Sequence, residues 1–170
     1  TWIDLAKKIE DAGADSLAIK DMAGLLRPFD AYELVKNLKS TLSIPIHMQT
    51  HATTGMSTAT NMKAIEAGID NIDTSISSLS MTYGHTATET MLAIFENQER
   101  EINLDLSALE EVSIFFKEIR DKYSEFEGNL KGVDSSMLVK QVPGGMLSNL
   151  ESQLRANKQE DKIDLVKDEI

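Results

Sequence analysis

Apolar and polar positions along the first half of the chain alternate in blocks that fit helices and strands in turn. Apolar residues such as Trp2, Leu5 and Ile9 recur at helical spacing, and each such stretch is followed by a short apolar run. Alternation of this kind is typical of parallel βα units and predicts an α/β fold. The predicted order is helix 2–12, strand 16–20, a helix that follows Pro28 and runs through Leu38, strand 44–49, helix 56–67 and strand 71–76.

Two segments repeat the same junction between a helix and a strand. Residues 9–15 are similar to residues 65–70, and Gly13 or Gly68 ends the helix in each. Three such units cannot close a (β/α)8 barrel, which takes eight strands and about 250 residues. The residues alone leave two alternatives, a small open sheet or a piece of a larger fold.

The second half of the chain is predicted to be mainly helical. Residues 107–126 carry an apolar stripe, and Ser107 and Glu110 stand at capping-box spacing. Residues 129–142 are predicted to be irregular or briefly extended. The other predicted helices are 89–99, 146–157 and part of the charged tail from 158 to 170.

Composition and charge narrow the classes of function. The 170 residues include 17 Lys and Arg against 28 Asp and Glu, and this net charge of −11 argues against a general nucleic-acid binder. The length fits one domain, and 41% hydrophobic residues supply a core. The absence of cysteine excludes disulfides, thiolate zinc sites and a cysteine nucleophile. We expect no membrane span and no export signal.

The strand predicted at 44–49 runs into a row of metal-binding side chains. Positions 47, 49 and 51 of an extended chain project to one face, so His47, Gln49 and His51 form a row. Imidazoles at a strand end are ligands for zinc or manganese, with the amide oxygen as a weaker donor. The alternative is a pair of hydrogen-bonded histidines in a polar strand-end region.

Two charged residues end the other predicted strands. A lysine at the position of Lys20 can act as a base, as a Schiff-base former or, after modification, as a metal ligand. The alternative is an ion pair with Asp21. The alternatives for Asp73 are that it ligates a metal, binds a histidine or caps the next helix. The Gly144 and Gly145 pair lacks the pattern of a nucleotide-binding loop.

Several longer motifs are similar to one enzyme family. Residues 20–28 (Lys-Asp-Met-Ala-Gly-Leu-Leu-Arg-Pro) differ from that family's segment only by Arg27 in place of Lys. Together the motifs resemble the biotin-dependent carboxyltransferases, which include the oxaloacetate decarboxylase α subunit and pyruvate carboxylase. The further matching segments are 51–56, 64–70, 78–85 and 142–154.

The resemblance implies a fold larger than this chain. Residues 1–88 are then the last three βα units of a (β/α)8 TIM barrel, and residues 89–170 are an α-helical extension at the barrel mouth. The 170 residues are about half of such a domain, and we expect the isolated segment to be inactive. It should expose an open sheet edge and an apolar barrel interior.

The resemblance also implies a metal site. Lys20 matches a carbamylated lysine ligand and His51 the second histidine of a His-x-His pair, while the family's Asp ligand lies on a strand outside this chain. Gln49 stands where the family has the first histidine, and an amide is a poorer donor than imidazole. The implied metal is zinc, manganese or cobalt.

The implied reaction is carboxyl transfer between a 2-oxo acid, oxaloacetate or pyruvate, and biotin on a separate carrier domain. In the family a hydroxyl upstream of Pro143 moves a proton between biotin and the pyruvate enolate, and Ser135 is the nearest match, with Ser136 beside it. Residues 52–55 and 80–85 are more similar to oxaloacetate decarboxylase α subunits than to pyruvate carboxylases. The alternatives are the biotin-carrying subunit of a two-chain pyruvate carboxylase, working in the carboxylating direction, and a non-catalytic docking or dimerisation module with a degraded metal site.

The expected location and partners follow from the same resemblance. We expect a cytoplasmic homo-oligomer that works with a biotinyl carrier domain and binds no nucleic acid. Membrane-bound decarboxylase subunits are further partners that the decarboxylase-like motifs imply.

Overall fold

The computed structural model describes residues 1–96, 98, 102–128, 130–140 and 144–169, and it confirms the α/β class. The first half contains the helices α1 (Trp2–Asp11), α2 (Pro28–Thr41) and α3 (Ser57–Glu66) and the strands β1 (Leu17–Asp21), β2 (Ile46–Thr50) and β3 (Asn71–Ile72). The later helices are α4 (Thr88–Phe95), α5 (Leu106–Lys122), α6 (Met137–Lys140), α7 (Gly144–Ala156) and α8 (Ile163–Glu169). Single 3-10 turns lie at Ser77–Leu79, Ser124–Phe126 and Glu160–Lys162.

The described residues form one sheet in which β1, β2 and β3 lie side by side in that order and run parallel. In this register Leu17 pairs with Ile46 and Asp21 with Thr50. The helices α2 and α3 supply the crossovers that parallel pairing needs. The carboxyl ends of β1 and β2 therefore meet at the same edge of the sheet.

The core lies between one face of the sheet and the helices α1, α2 and α3. Ile46 and Met48 of β2 are fully buried there together with Val35 of α2 and Ala64 of α3. Burial of one such aliphatic side chain contributes about 1.5–3 kcal/mol. The remaining buried members of this core are Ala6, Ala31, Leu38, Leu42 and Ile69.

The opposite face of the sheet is open and mostly polar. Ala18 and Lys20 of β1 are exposed there, and His47 and Gln49 of β2 are half-buried. The expectation of an exposed apolar interior is wrong for these strands, because only Ala18 on this face of β1 and β2 is apolar. The outer edge of β1 pairs with no strand in the described part of the chain, as expected, and Trp2 beside it is 75% exposed.

The third strand is shorter than predicted. It was expected over 71–76, yet β3 ends at Ile72. The chain beyond it pairs elsewhere, since the amide of Ser75 donates to Thr86 and the carbonyl of Ser75 accepts from Thr88. An isolated parallel bridge between Ser75 and Ala87 is the result.

Two predictions in the second half are also corrected. The segment expected to be irregular contains α6, and the N-cap of α5 is Asp105, whose carboxylate accepts from the Ser107 amide, rather than Ser107 itself. The helix expected over 89–99 is α4, and its last expected residues at 97 and 99 lie outside the described part. No helix within the described ranges has both the length and the apolar character needed to cross a membrane.

Glu10 joins the end of α1 to the connection before β2. Its carboxylate accepts hydrogen bonds from the backbone N and the Oγ of Ser43, each at 2.7 Å, and lies 2.9 Å from Nζ of Lys7. The Lys7 ammonium and the Ser43 donors lower the pKa of Glu10 from 4.5 to about 2.

We predict that Glu10 makes the stability of the fold sensitive to acid. A carboxyl whose pKa is lower in the folded state stabilises the fold above its unfolded pKa, and this contribution is lost as the pH falls to the folded pKa. The free energy of unfolding should decline between pH 4.5 and about 2, and Glu10→Gln should flatten that decline. Chemical denaturation at stepped pH measures it, with the exposed Glu33→Gln as control. A decline of unchanged slope in Glu10→Gln would contradict this role.

Asn61 of α3 buries a carboxamide that has no partner. The residue is 0% exposed, and neither Nδ2 nor Oδ1 makes a hydrogen bond within the described residues. A buried polar group left unpaired costs about 1–3 kcal/mol.

We predict that Asn61→Leu raises the free energy of unfolding by about 1–3 kcal/mol, because an apolar side chain with the same branched shape and number of non-hydrogen atoms replaces the unpaired amide. Asn61→Asp, which places a charge at the same position, should lower it. Chemical denaturation of both variants measures the effect. A Leu variant that is less stable than the parent chain would refute the assignment.

Candidate functional site

The polar end of the open sheet face brings together three of the predicted site residues. Lys20 and Gln49 are direct register partners on adjacent strands, so their side chains leave the sheet side by side on the same face. His51 follows the end of β2, where its backbone amide donates to the carbonyl of Asp21 at 3.0 Å. The parallel ladder therefore places all three at the carboxyl ends of the strands, where α/β proteins bind ligands.

The neighbouring Asp21 has a structural role. Its carboxylate accepts from the amides of Leu25 and Leu26 at 2.9 and 3.0 Å and from Thr50 Oγ1 at 2.8 Å. It points to the opposite side of the strand from Lys20, which makes no ion pair within the described residues. The alternative of a Lys20–Asp21 pair is therefore wrong.

The orientation of His51 is determined by a backbone carbonyl. Nδ1 of His51 lies 2.7 Å from the carbonyl oxygen of Tyr83. A carbonyl oxygen only accepts, so Nδ1 carries a proton, and in the neutral ring Nε2 then keeps its lone pair. The His85 ring lies beside it, with ring centroids 4.5 Å apart, and Nδ1 of His85 lies 3.1 Å from the carbonyl of Thr50. Histidine ligands in metal sites are oriented in the same way, by a hydrogen bond from the ring nitrogen that does not bind the metal to a carbonyl or carboxylate oxygen.

The loop that supplies this carbonyl holds unusual backbone conformations. Met81 and Thr82 have φ of 62° and 49°, in the left-handed region that non-glycine residues rarely adopt. Such residues cost about 1–3 kcal/mol each and persist only where surrounding contacts hold them. The loop closes through the Met81 amide on the His85 carbonyl at 2.7 Å, and the Gly84 carbonyl accepts from the Ala52 amide at 2.8 Å.

The side chain of Tyr83 extends away from His51 into the later helical part of the chain. Its ring packs in a small cluster that contains Ala23 and the buried Met137 of α6. The Leu130 backbone and the Glu151 carboxylate lie close enough to its hydroxyl to change the pKa of Tyr83. Burial first, and then the negative charge of Glu151, raise the pKa of Tyr83 to about 12. The phenol therefore stays protonated and is a hydrogen-bond donor.

The segment 133–140 lies against the same end of the sheet. The Asp134 amide donates to the carbonyl of Thr53 at 2.8 Å, and the Asp134 carboxylate accepts from both N and Oγ of Ser136, at 2.9 and 2.6 Å. Ser135 is exposed, and its hydroxyl makes no hydrogen bond within the described residues. Met137, which is 1% exposed, anchors this segment beside Ala23.

Other residues singled out in the sequence do not join this group. His47 pairs with Asn71 in the ladder, and Nε2 of His47 lies 3.4 Å from Nδ2 of Asn71. The two histidines thus contact different groups instead of each other. Asp73 is exposed beyond β3, and Gly144 begins α7. Tyr83 and His85 lie within the matched motif at 78–85, but no role for either residue is predicted from the sequence.

Lys20, Gln49 and His51 supply donor atoms of the types that bind divalent cations. Among the described residues, no three or more His, Cys, Asp or Glu side chains cluster as metal ligands. The group at this site is of another type, since Lys20 offers oxygen only as a carbamate and Gln49 offers an amide oxygen. His51 offers Nε2, and all three lie at one end of one face.

The chain matches two protein-family models, HMGL-like over residues 1–115 and a conserved carboxylase domain over residues 137–170. It is 46% identical over 171 residues to the methylmalonyl-CoA carboxyltransferase 5S subunit of Propionibacterium freudenreichii subsp. shermanii. It is 44% identical over 170 residues to a pyruvate carboxylase subunit of Methanocaldococcus jannaschii. Each alignment covers 99% of this chain, but only 34% and 30% of the two relatives.

Solved structures show the same relationship. The carboxyl transferase domain of Rhizobium etli pyruvate carboxylase, determined with pyruvate and biocytin, is similar with a TM-score of 0.92 and 35% identity, over 98% of this chain and 28% of that one. The chain spans about a third of the length of the curated relatives it matches. Its βα units are accordingly part of a TIM barrel, and the resemblance seen in the motifs is confirmed. The chain belongs to the HMGL-like family.

Proposed function

We propose that this chain is part of a carboxyltransferase that moves a carboxyl group between a 2-oxo acid, oxaloacetate or pyruvate, and biotin on a separate carrier domain. The observation that carries the proposal is the group of Lys20, Gln49 and His51 at one end of the open sheet face. The names of the relatives support it, since they are carboxyltransferase and pyruvate carboxylase subunits. The proposal includes a division into barrel units at 1–88 and a helical extension at 89–170.

Three residues of the chain would hold a divalent metal, either zinc, manganese or cobalt. Lys20 would bind through a carbamate, formed when its amine adds to CO2 and releases a proton, Gln49 through its amide oxygen and His51 through Nε2. A bound metal polarises the carbonyl oxygen of the 2-oxo acid and so stabilises the enolate. Because Lys20 has no carboxylate partner within the described residues, its amine is available for this modification.

Ser135 would move the proton that the carboxyl transfer requires. As the carboxyl group leaves C3 of oxaloacetate and bonds to N1 of biotin, the N1 proton has to reach the enolate carbon. The Ser135 hydroxyl accepts that proton and gives its own to the carbon, which makes pyruvate and returns the hydroxyl unchanged. Its exposure and its place on a segment anchored by Met137 support this role.

Two alternatives have support of their own. The 44% identity to a pyruvate carboxylase subunit favours the carboxylating direction. Gln49 favours a non-catalytic docking or dimerisation module, since an amide is a weaker ligand than imidazole. A cytoplasmic homo-oligomer and an association with membrane decarboxylase subunits remain part of the proposal.

We predict that Lys20 and Gln49 control metal binding in the full-length protein. Lys20→Gln should lower the rate of biotin-dependent decarboxylation of oxaloacetate by a factor of about 10²–10³, the typical loss for one electrostatic group at an active site. Gln49→His should raise metal affinity by about tenfold or more, because even indirect contacts to a metal change affinity by about 10–100-fold. Elemental analysis and chelator competition measure metal binding, and free biotin serves as the acceptor in the assay.

The exposed Lys122→Gln on α5 is the matched control and should retain both properties. Stoichiometric metal in the parent protein excludes the non-catalytic module. A Gln49→His protein that binds metal but transfers no carboxyl group would contradict the proposed activity.

We predict that Ser135 and its neighbour Ser136 differ in their effect on turnover. Ser135→Ala should lower kcat by about 10²–10⁴, the usual contribution of a proton-transferring side chain, while Ser135→Thr should retain it. Ser136→Ala loses a hydrogen bond to Asp134 and should leave kcat near the parent value. Steady-state kinetics of oxaloacetate decarboxylation with free biotin compares the three. Equal rates for Ser135→Ala and the parent protein would rule out this shuttle.

A further inference from the structure

We infer that Tyr83 is a positioning residue through which Gly128, Met137 and Glu151 hold His51 in the orientation that its Nε2 needs to bind a metal. The identity of His51 as a ligand rests on the proposed function. The link runs from the backbone of Tyr83 on one side to its side chain on the other, and it joins parts of the chain that are far apart in sequence.

The backbone end of the link is one hydrogen bond. The Tyr83 carbonyl accepts the Nδ1 proton of His51 at 2.7 Å and so directs Nε2 away from the loop. That carbonyl follows Met81 and Thr82, the two residues in the left-handed region. Residues in this region relax when their neighbours release them. The position of the carbonyl therefore depends on what holds Tyr83.

The side-chain end of the link lies in the later helical part. The ring packs with Ala23 and Met137, and the Glu151 carboxylate of α7 and the Leu130 backbone lie near its hydroxyl. These groups hold Tyr83 by packing and by electrostatic contact, and α6 and α7 supply two of them.

Gly128 shows how closely the later segment follows the ring. A Cβ at this position would lie 2.6 Å from Cε2 of Tyr83 and 2.9 Å from a carboxylate oxygen of Glu151. Ordinary contacts between carbon atoms are about 3.5–4.0 Å. The chain passes here only because residue 128 has no side chain, so an added methyl group displaces the ring while every residue that contacts His51 keeps its identity.

His51 has a second support that does not involve this link. His85 lies against its ring and is itself held by the carbonyl of Thr50. Loss of the Tyr83 link should therefore loosen the orientation of His51 without releasing it. The expected result is a graded loss of metal affinity, of the size seen when an outer contact to a ligand is removed.

The test uses the full-length protein and the variants Tyr83→Phe and Gly128→Ala. Tyr83→Phe removes the hydroxyl and keeps the ring, and Gly128→Ala moves the ring and keeps the hydroxyl. Affinity for Mn²⁺ and Zn²⁺ is measured by chelator competition, and thermal unfolding reports whether each variant is folded. The tautomer of His51 is read in metal-free protein from ring ¹⁵N shifts after ¹⁵N-histidine labelling, with assignment by His51→Gln. Tyr123→Phe, at an exposed tyrosine after α5, is the matched control.

We expect both variants to bind metal about 10–100-fold more weakly than the parent. We also expect the His51 ring nitrogens to shift from a single Nδ1-protonated form towards a mixture, while Tyr123→Phe matches the parent. Parent-like tautomer and affinity in both folded variants would overturn the inference. A parent protein that fails to carboxylate biotin contradicts the proposed function alone, because the tautomer measurement requires neither turnover nor metal.

Discussion

The parallel pairing of β1 with β2 is the constraint on which the candidate site depends. Five residue pairs, from Leu17 with Ile46 to Asp21 with Thr50, define the register. A slip of one residue would turn every side chain to the other face of the sheet. The observed register buries Ile46 and Met48 in the core, so the packing of the helices determines which side chains remain on the open face. Lys20 and Gln49 lie side by side as a consequence.

Because side chains alternate along β1, Asp21 and Lys20 lie on opposite sides of the strand and have different roles. Asp21 accepts three hydrogen bonds that hold the loop after β1, while Lys20, one residue earlier, faces the open side. The chain as a whole has a net charge of −11, yet the open face of β1 and β2 carries a lysine and a histidine and no carboxylate. This local balance suits the anionic 2-oxo acid that we propose as the substrate. The acidity of the rest of the surface does not oppose it, because exposed charges are screened over about 10 Å.

The later helical part contacts the loops that follow β1 and β2, at the same end of the sheet as the candidate site. Met137 of α6 packs beside Ala23, in the loop after β1, and so places Ser135 near the ends of the strands. Tyr83 packs in the same cluster, and its backbone carbonyl accepts a hydrogen bond from Nδ1 of His51. The loop between this cluster and His51 holds Met81 and Thr82 in the left-handed region, which non-glycine residues keep only where surrounding contacts hold them.

Local periodicity in the sequence was enough to predict α1 to α3, β1 and β2, because each buries one face against the same core. The motifs indicated Lys20, Gln49 and His51, and the alternation of strand residues placed Gln49 and His51 on one face. The length of β3 was not predictable, since Ser75 pairs with residues near Thr86 and not with β2. Helix α6 and the role of Tyr83 were likewise decided by tertiary contacts with Ala23, Leu130 and Glu151. The sequence by itself determined which chemical groups are present and on which strands, whereas only the tertiary structure decided how His51 is oriented, because its partner lies 32 residues away.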